Sequence, residues 1–380
     1  MSSSSEPEVP IVIREPVNAP SSTFYTYNFN VNKLNLVGKD IIDEGYYGHT
    51  IASAPNFLHT AYIDFAQHLY ILSNDTSKKS LLYKGNKNLK LSLNTWSPDS
   101  KKLIFSTLPF RGYDFEGDPI YQPNFYNVVN ITDGSLTTFP AGKGVTVEQF
   151  IDNSRILIDI FVPGHPNFHF ITTVLNLDTM QLDQGWFEEK LGSMENLIKK
   201  HAPLANVVGR IFSLENSKYV YTIREQAREA YTNLPPELLI EGRTIFIYGD
   251  LQNKTRAIIA DGKWEQYQNP LVSPVGDKVS YYEEKSGKNF DTPIIFWIYN
   301  AATGEHRSYV CADRASWKQE WLDNNKLLIS FFRPAKTPSS AVTAYYILDT
   351  ATNSIQKVWG DSTSPYSANL CKLRNKIPND

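Results

Sequence analysis

Residues 93–107, LNTWSPDSKKLIFST, contain the pattern that decides the fold of this chain. Two short apolar runs flank a Ser-Pro-Asp turn and a pair of lysines, which is typical of two antiparallel strands joined by a tight turn. The same pattern returns along the chain, so it defines a repeat rather than a single hairpin. The other copies are 53–63 (SAPNFLHTAYI), 150–160 (FIDNSRILIDI), 212–223 (FSLENSKYVYTI), 272–282 (VSPVGDKVSYY) and 321–331 (WLDNNKLLISF).

A second hairpin pattern follows each copy, with Asp or Asn in a polar turn between β-branched and aromatic runs. Residues 347–358, ILDTATNSIQKV, show it most clearly. We label the strands of the first hairpin A and B and those of the second C and D, so each repeat predicts four antiparallel strands. The matching second hairpins are 71–82, 128–139, 176–187, 247–258 and 298–309.

Repeats of four strands, spaced 43 to 62 residues apart, predict an all-β protein with a β-propeller fold. Residues 26–37 resemble a further C–D hairpin that no A–B pair precedes, and residues 365–377 follow the last hairpin with room for one strand. We therefore expect seven four-stranded blades, one of them completed by the N- and C-terminal strands together, which would leave no open sheet edge. Six blades with a packed N-terminal hairpin is the alternative.

Segments outside the repeats lead to separate predictions. Residues 187–200, FEEKLGSMENLIKK, carry apolar residues at helical spacing and predict a short helical insertion. Residues 1–22 are rich in Ser, Pro and Glu, which predicts a flexible tether ahead of a single propeller domain over residues 23–377. We favour the tether of a bacterial lipoprotein in the periplasm or at the cell surface, with a lipid anchor upstream of Met1. The N-terminus of a cytoplasmic protein is the alternative.

Charge and hydropathy argue against several kinds of partner. A net charge of −3 gives no indication of nucleic-acid binding. No apolar run approaches the roughly 20 residues that a membrane-spanning helix needs. Cys311 and Cys371 can pair only if the final strand lies beside the fifth complete repeat, and two buried free thiols are the alternative.

The turns in SPDSKKLIF and SPVGDKVSY resemble the TolB-like (WD-like) propeller repeat, whose blades carry Ser-Pro-Asp-Gly-Lys before an apolar strand. Ser100 stands where that repeat usually has glycine, and only the copies at Ser97 and Ser273 keep the Ser-Pro pair. The resemblance implies that Asp99 shapes the A–B turn and that Lys102 and its equivalents lie at the solvent end. The chain is also similar to the propeller domain of prolyl oligopeptidase-type peptidases, but no G-x-S-x-G motif of their hydrolase domain is present.

Catalytic and metal-binding patterns are weak in this sequence. His165 and His169 have a spacing that suits metal ligands on a helix, but Pro166 disfavours a helix there, so we predict neither a metal site nor a cofactor. A glycosidase would need two facing carboxylates, and surface charge explains the available ones better. Those carboxylates are Asp114, Glu116, Asp118, Asp159, Glu283, Glu284 and Asp291.

The blade topology predicts one end rich in long loops, because the B–C turns and the connections to the next blade lie at the same end. The predicted B–C loops span 107–124, 161–168, 224–243, 283–293 and 332–342, and long loops in a compact domain are often functional. These loops mix aromatic residues with arginines, as protein-binding hot spots do. The candidate binding residues are Arg111, Tyr113, Phe115, Tyr121, Arg224, Arg228, Tyr231, Phe290 and Arg333.

These patterns favour a non-catalytic propeller that binds another protein or a peptide through its long B–C loops, in an accessory or scaffold role. The alternative is a hydrolase or lyase that acts on a carbohydrate or a small ester, with carboxylates at the mouth of the channel. A third, weaker possibility is an enzyme fragment whose catalytic domain lies outside this chain.

Overall fold

In the computed structural model, the described residues form strands and turns, with no helix among them. The helix predicted over 187–200 lies outside these residues. No helix in the described part of the chain is long and apolar enough to cross a membrane. The structure describes residues 8–14, 22–28, 33–40, 51–56, 58–64, 66–74, 78–86, 89–113, 119–121, 125–141, 145–162, 169–183, 207–225, 243–263, 266–283, 294–311, 316–333, 342–360 and 371–374.

The strands belong to two compact units, one of residues 1–160 with 174–183 and one of residues 161–173 with 184–380. The single propeller domain over 23–377 stays a prediction. The first unit begins with a sheet of three strands, β1 (Glu8–Arg14), β2 (Ser22–Asn28) and β3 (Lys33–Asp40). Strand β1 lies within the 1–22 segment, whose function as a tether also stays a prediction.

Three antiparallel sheets follow, each with its strands in the order A–B–C–D, and residues 161–173 of the third belong to the second unit. The first sheet is β4 (Ile51–Ser53), β5 (His59–Ile63), β6 (Leu69–Ser73) and β7 (Lys79–Tyr83). The second is β8 (Leu89–Trp96), β9 (Lys102–Tyr113), a short added strand β10 (Pro119–Tyr121), β11 (Phe125–Asn130) and β12 (Leu136–Pro140). The third is β13 (Val145–Phe150), β14 (Arg155–Val162), β15 (His169–Asn176) and β16 (Gln181–Asp183).

The second unit contains three more sheets in the same order. The fourth sheet is β17 (Val207–Glu215), β18 (Lys218–Glu225), β19 (Arg243–Asp250) and β20 (Thr255–Lys263). The fifth is β21 (Tyr267–Val272), β22 (Lys278–Glu283), β23 (Ile294–Asn300) and β24 (His306–Cys311). The sixth is β25 (Ser316–Trp321), β26 (Lys326–Arg333), β27 (Val342–Asp349) and β28 (Ser354–Gly360), and the last strand of the chain is β29 (Cys371–Arg374).

These six sheets are the blades of a β-propeller, numbered 1 to 6 here in chain order. The predicted seven blades are wrong, and the alternative of six is confirmed. The predicted hairpin near residues 26–37 forms, but its third strand is β1, so these strands make a sheet of their own. Strand β29 pairs with the outer strand β24 of blade 5, where it covers an open sheet edge. The terminal strands therefore share no blade, and Cys371 lies opposite Cys311 in the β24–β29 register.

Successive blades within each unit pack face to face through apolar side chains. In the first unit, Trp96 of blade 2 packs with residues of blade 1, and its Nε1 donates to the carbonyl of Ala52 (3.1 Å). In the second unit, Trp321 of blade 6 makes the equivalent bond to the carbonyl of Leu271 in blade 5 (3.2 Å). Each indole thus combines a large buried apolar surface with a bond to a backbone acceptor of the preceding blade.

The A–B turns explain why the Ser-Pro repeat sequence folds as predicted. Ser97 Oγ accepts from the amide of Lys102 (2.8 Å) and donates to Asp99 Oδ1 (2.7 Å), which closes the turn between β8 and β9. Ser100 has a φ of +61°, and Gly276 at the same place in blade 5 has a φ of +89°. This left-handed conformation favours glycine, which is why the related repeat carries one there.

Candidate functional site

The long-loop end is best described in blade 2, where strand β9 continues past the sheet. Residues 110–113 of β9 pair with β10, and the register shifts between Ile120 and Tyr121. Phe110 in this hairpin is 45% exposed, and Phe125 at the start of β11 is 42% exposed. Arg111 is also exposed. The extension therefore places aromatic and cationic side chains beyond the blade.

Each predicted binding residue that the structure describes lies at the long-loop end of its own blade. Arg111 lies in the hairpin, with Tyr113 at the end of β9 and Tyr121 at the end of β10. Arg224 is the penultimate residue of β18 and Arg333 the last residue of β26, both next to predicted B–C loops. Phe115, Arg228, Tyr231 and Phe290 lie outside the described residues. Their joint role as a binding face stays a prediction.

Two of the candidate carboxylates are described, and both are buried: Asp159 is 2% exposed and Glu283 is 9% exposed. Glu283 accepts hydrogen bonds from Trp297 Nε1 (3.0 Å) and Gln266 Nε2 (3.0 Å). Burial, with the Glu283 and Asp261 carboxylates nearby, raises the pKa of Tyr267 to about 12. Since both Glu283 oxygens accept from side chains of its own blade or the preceding turn, we interpret it as a structural anchor at the end of strand β22.

Among the residues that the structure describes, no three His, Cys, Asp or Glu side chains come together as metal ligands. His169 begins strand β15, and His165 lies outside the described residues.

A cavity of about 240 Å³ opens at the other end of the blades, where the short A–B and C–D turns of blades 5 and 6 meet. We call it the polar pocket. Its lining comes from the B, C and D strands and the C–D turn of blade 5 and from the two turns of blade 6. The described lining residues are Lys278, Ile298, Asn300, Glu305, Arg307, Tyr309, Asn325, Thr350 and Ala351, none of which was predicted as a binding residue.

Lys278 links the two blades at the floor of the polar pocket. Its Nζ donates to the carbonyl of Asn324 (3.0 Å), to Asn325 Oδ1 (2.6 Å) and to Thr350 Oγ1 (3.1 Å), and the side chain is half-buried. The family resemblance implied that Lys102 and its equivalents simply lie at the solvent end. Lys278 is instead a structural cation between neighbouring blades, because three oxygen atoms of blade 6 surround its ammonium group.

Arg307 is held at the side of the polar pocket by an acceptor of blade 6. Its Nη1 donates to Asn353 Oδ1 (3.0 Å), and the hydroxyl of Tyr309 donates to the same oxygen (3.0 Å). Burial raises the pKa of Tyr309, although the Arg307 charge opposes this, so the hydroxyl stays protonated at neutral pH. The Arg307 side chain is exposed, and its hydrogen bond to Asn353 holds it in place.

The polar pocket was not predicted because it lies at the short-turn end, away from the long loops that carry the predicted binding residues. A usable signal existed in the matched C–D hairpins: residues 298–309 carry Glu305 and Arg307 where residues 128–139 carry Ser135 and Thr137. Comparison of equivalent strand positions, rather than loop lengths, would have detected the change.

Comparison with solved structures finds similarity at low sequence identity. An oligogalacturonate lyase in complex with manganese superposes with a TM-score of 0.56 at 11% identity, covering 89% of this chain and 85% of that one. The oligogalacturonate lyase of Vibrio parahaemolyticus gives a TM-score of 0.53 at 11% identity, covering 86% and 83%. The dipeptidyl peptidase 4 of Porphyromonas gingivalis gives 0.44 at 10% identity, covering 94% of this chain and 50% of that chain.

No protein-family model and no curated protein sequence matches this chain. The structural likeness to the two lyases therefore supports the β-propeller fold and nothing finer.

Proposed function

We propose that this chain is a non-catalytic β-propeller that binds a partner protein or peptide through the long-loop end of its blades. The observation that carries the proposal is the β9–β10 hairpin, which extends beyond blade 2 and exposes Phe110 and Arg111. Strand pairing fixes these side chains before binding, so less conformational entropy is lost than with an unpaired loop. Aromatic and arginine side chains are enriched in interface hot spots.

The proposal places the chain in an accessory or scaffold role. A TolB-like relationship, a lipoprotein tether and a location in the periplasm or at the cell surface belong to the same proposal, on the support of the repeat turns and the composition of residues 1–22. The remaining predicted residues, among them Tyr113, Arg224 and Arg333, extend the proposed face along the ends of the other blades.

A carbohydrate-acting enzyme is the second candidate, and the specific observation that favours it is the fold likeness to two oligogalacturonate lyases. The described carboxylates provide little support for an enzymatic function. Asp159 and Glu283 are buried, and the described lining of the polar pocket contains one carboxylate, Glu305. A glycosidase-type mechanism needs two facing carboxylates about 5–10 Å apart. We therefore rank binding above catalysis.

The test is quantitative capture of partners from the native source by wild-type protein and by Phe110→Ala/Arg111→Ala. We expect the double variant to lose specific partners, because truncating a hot-spot pair typically weakens binding by about 2 kcal/mol or more. Val275→Ala is the matched control, since Val275 is 54% exposed but lies in a short A–B turn at the opposite blade end. Equal capture by the double variant and wild type, with both folded, would contradict the proposal.

The same preparations test the enzymatic alternative. Incubation with oligogalacturonate and with other acidic and neutral oligosaccharides, followed by product analysis, should show no turnover. Measurable cleavage by wild-type protein would favour the enzyme.

A further inference from the structure

The chain contains an internal control for the polar pocket, because blades 2 and 3 meet through the same turns as blades 5 and 6. In the C–D turn of blade 2, the amide of Gly134 donates to the carbonyl of Asn130 (2.8 Å). In blade 5, Gly304 donates to Asn300 at the same distance. Gly134 and Gly304 both have a φ of +71°. The two turns therefore share one backbone conformation.

The turns of blades 3 and 6 match in the same way. The amide of Leu177 donates to the carbonyl of Ser154 (2.7 Å), and the amide of Thr350 donates to that of Asn325 (2.7 Å). Three positions after Leu177 and Thr350, Met180 has a φ of +56° and Asn353 a φ of +55°. Differences between the two junctions therefore lie in side chains, position by position.

At each position compared, the side chain at the junction of blades 5 and 6 is more polar than its equivalent at the junction of blades 2 and 3. Thr137 and Phe139 of blade 2 correspond to Arg307 and Tyr309 of blade 5, on strands β12 and β24. Leu177 and Met180 of blade 3 correspond to Thr350 and Asn353 of blade 6, by the backbone bonds and φ values above. The propeller fold is thus compatible with an apolar junction here, so packing alone does not require the polar set.

The two cations of the polar pocket have uncharged hydrogen-bond partners. Lys278 and Arg307 donate to uncharged oxygens, and neither forms an ion pair among the described residues. A half-buried cation surrounded by neutral acceptors leaves much of its charge uncompensated, which an anion can offset. Glu305 is the carboxylate of the described lining, and the Asp349 carboxylate accepts from the amide of Ala351 and raises the pKa of Tyr309, so two negative charges lie near the two cations.

We propose that the polar pocket binds a small organic carboxylate, with Arg307 as its main contact. The guanidinium has five N–H donors, of which the bond to Asn353 uses one, and its planar fork suits a carboxylate. Asn300, Asn325 and Thr350 supply hydrogen-bonding groups for hydroxyl or amide substituents of the ligand. A volume of about 240 Å³ limits the ligand to a small molecule.

A single negative charge suits the polar pocket better than a phosphate dianion, because Glu305 reduces the net positive charge of the lining. This site lies at the short-turn end of blades 5 and 6, away from the long-loop end that the proposed partner uses. A test of ligand binding at the polar pocket can therefore succeed or fail independently of the proposed partner binding.

The test is ligand-observed NMR titration of lactate, inorganic phosphate and glycerol against wild-type protein. We expect saturable binding of lactate, weaker binding of phosphate and none of glycerol. Arg307→Thr, which installs the residue of blade 2, should weaken lactate binding about tenfold to a hundredfold, as loss of a charge-assisted bond implies. Arg307→Lys should retain part of the affinity.

Lys254→Gln is the matched control. Lys254 is an exposed cation in the C–D turn of blade 4, and its φ of +55° is the same as that of Asn353. We expect this control to bind lactate as the wild type does. The proposal is overturned if lactate does not bind the wild type, if phosphate binds more tightly than lactate, or if Arg307→Thr binds lactate as well as Lys254→Gln does.

Discussion

The junction of blades 2 and 3 and the junction of blades 5 and 6 have the same turn backbones but different contacts to the lysine that begins strand B. Lys102 Nζ donates to the carbonyl of Asn153 (2.9 Å), and Lys278 Nζ donates to the equivalent carbonyl of Asn324 (3.0 Å). Only Lys278 also donates to the side chains of Asn325 and Thr350. The polar pocket lies at this junction, between blades 5 and 6. The shared bond is part of the fold, whereas the added contacts belong to one pair of blades.

The largest expected effect comes from removing the two lysines. Lys278→Met deletes three hydrogen bonds from a charged donor, and we expect it to lower the free energy of unfolding by about 3 kcal/mol. Lys102→Met deletes one exposed bond and should cost about 1 kcal/mol or less. Urea denaturation of both variants measures the difference. Equal losses would mean that the extra contacts of Lys278 contribute no stability.

The next effect compares the left-handed residues of the two Ser-Pro turns. A Cβ at Gly276 would lie 2.4 Å from Lys218 Cγ and would force a side chain into a φ of +89°. Gly276→Ala should therefore cost about 2 kcal/mol. At Ser100 the strain is already present, so Ser100→Ala should cost only about 1 kcal/mol, from the loss of the bond that Ser100 Oγ accepts from the amide of Asn56 (3.1 Å). Thermal unfolding ranks the two variants, and a larger loss at Ser100 would contradict this reasoning.

A smaller effect should appear on acidification, and it concerns blade 4. There the equivalent lysine, Lys218, bonds the carboxylate of Asp250. Burial alone would raise the pKa of Asp250, but hydrogen bonds from Lys218 and from the amides of Gln252 and Asn253 outweigh it and lower this pKa to about 2. Because the folded-state pKa lies below the ordinary value of 3.8, the pair stabilises the fold above about pH 4 and loses its contribution between pH 4 and 2.

Stability curves between pH 7 and 2 test this expectation with Asp250→Asn as the comparison. Wild type and Lys278→Met should both lose the contribution of the Lys218–Asp250 pair between pH 4 and 2, because the hydrogen-bond partners of Lys278 do not titrate in that range. Asp250→Asn should lose less stability over the same range. An identical pH dependence of wild type and Asp250→Asn would count against it.

The sequence predicted the repeat and its turn chemistry well, because those depend on local patterns. The Ser-Pro turn at residues 97–102 and the Asp or Asn residues of the C–D turns form hydrogen bonds within a few residues. Blade number depended on where the terminal strands pair, and β29 pairs with β24, a partner about 60 residues away in the chain. No local pattern specifies such a pairing.

The long-loop residues and the polar pocket also differ in how far the sequence predicts them. The positions of Arg111, Arg224 and Arg333 at the long-loop end followed from strand order alone. The polar pocket did not, because Arg307, Asn325 and Asn353 come from different blades and meet only when two blades pack together. Each of these residues alone is an ordinary polar side chain on a strand or in a turn.

Grafting the polar side chains onto the junction of blades 2 and 3 tests whether side chains on a shared turn frame make the site. The graft is Thr137→Arg, Phe139→Tyr, Leu177→Thr and Met180→Asn in one chain, and the measurement is the stoichiometry of lactate binding. We expect one site in the wild type and two in the folded graft. A folded graft that still binds one lactate would contradict this expectation.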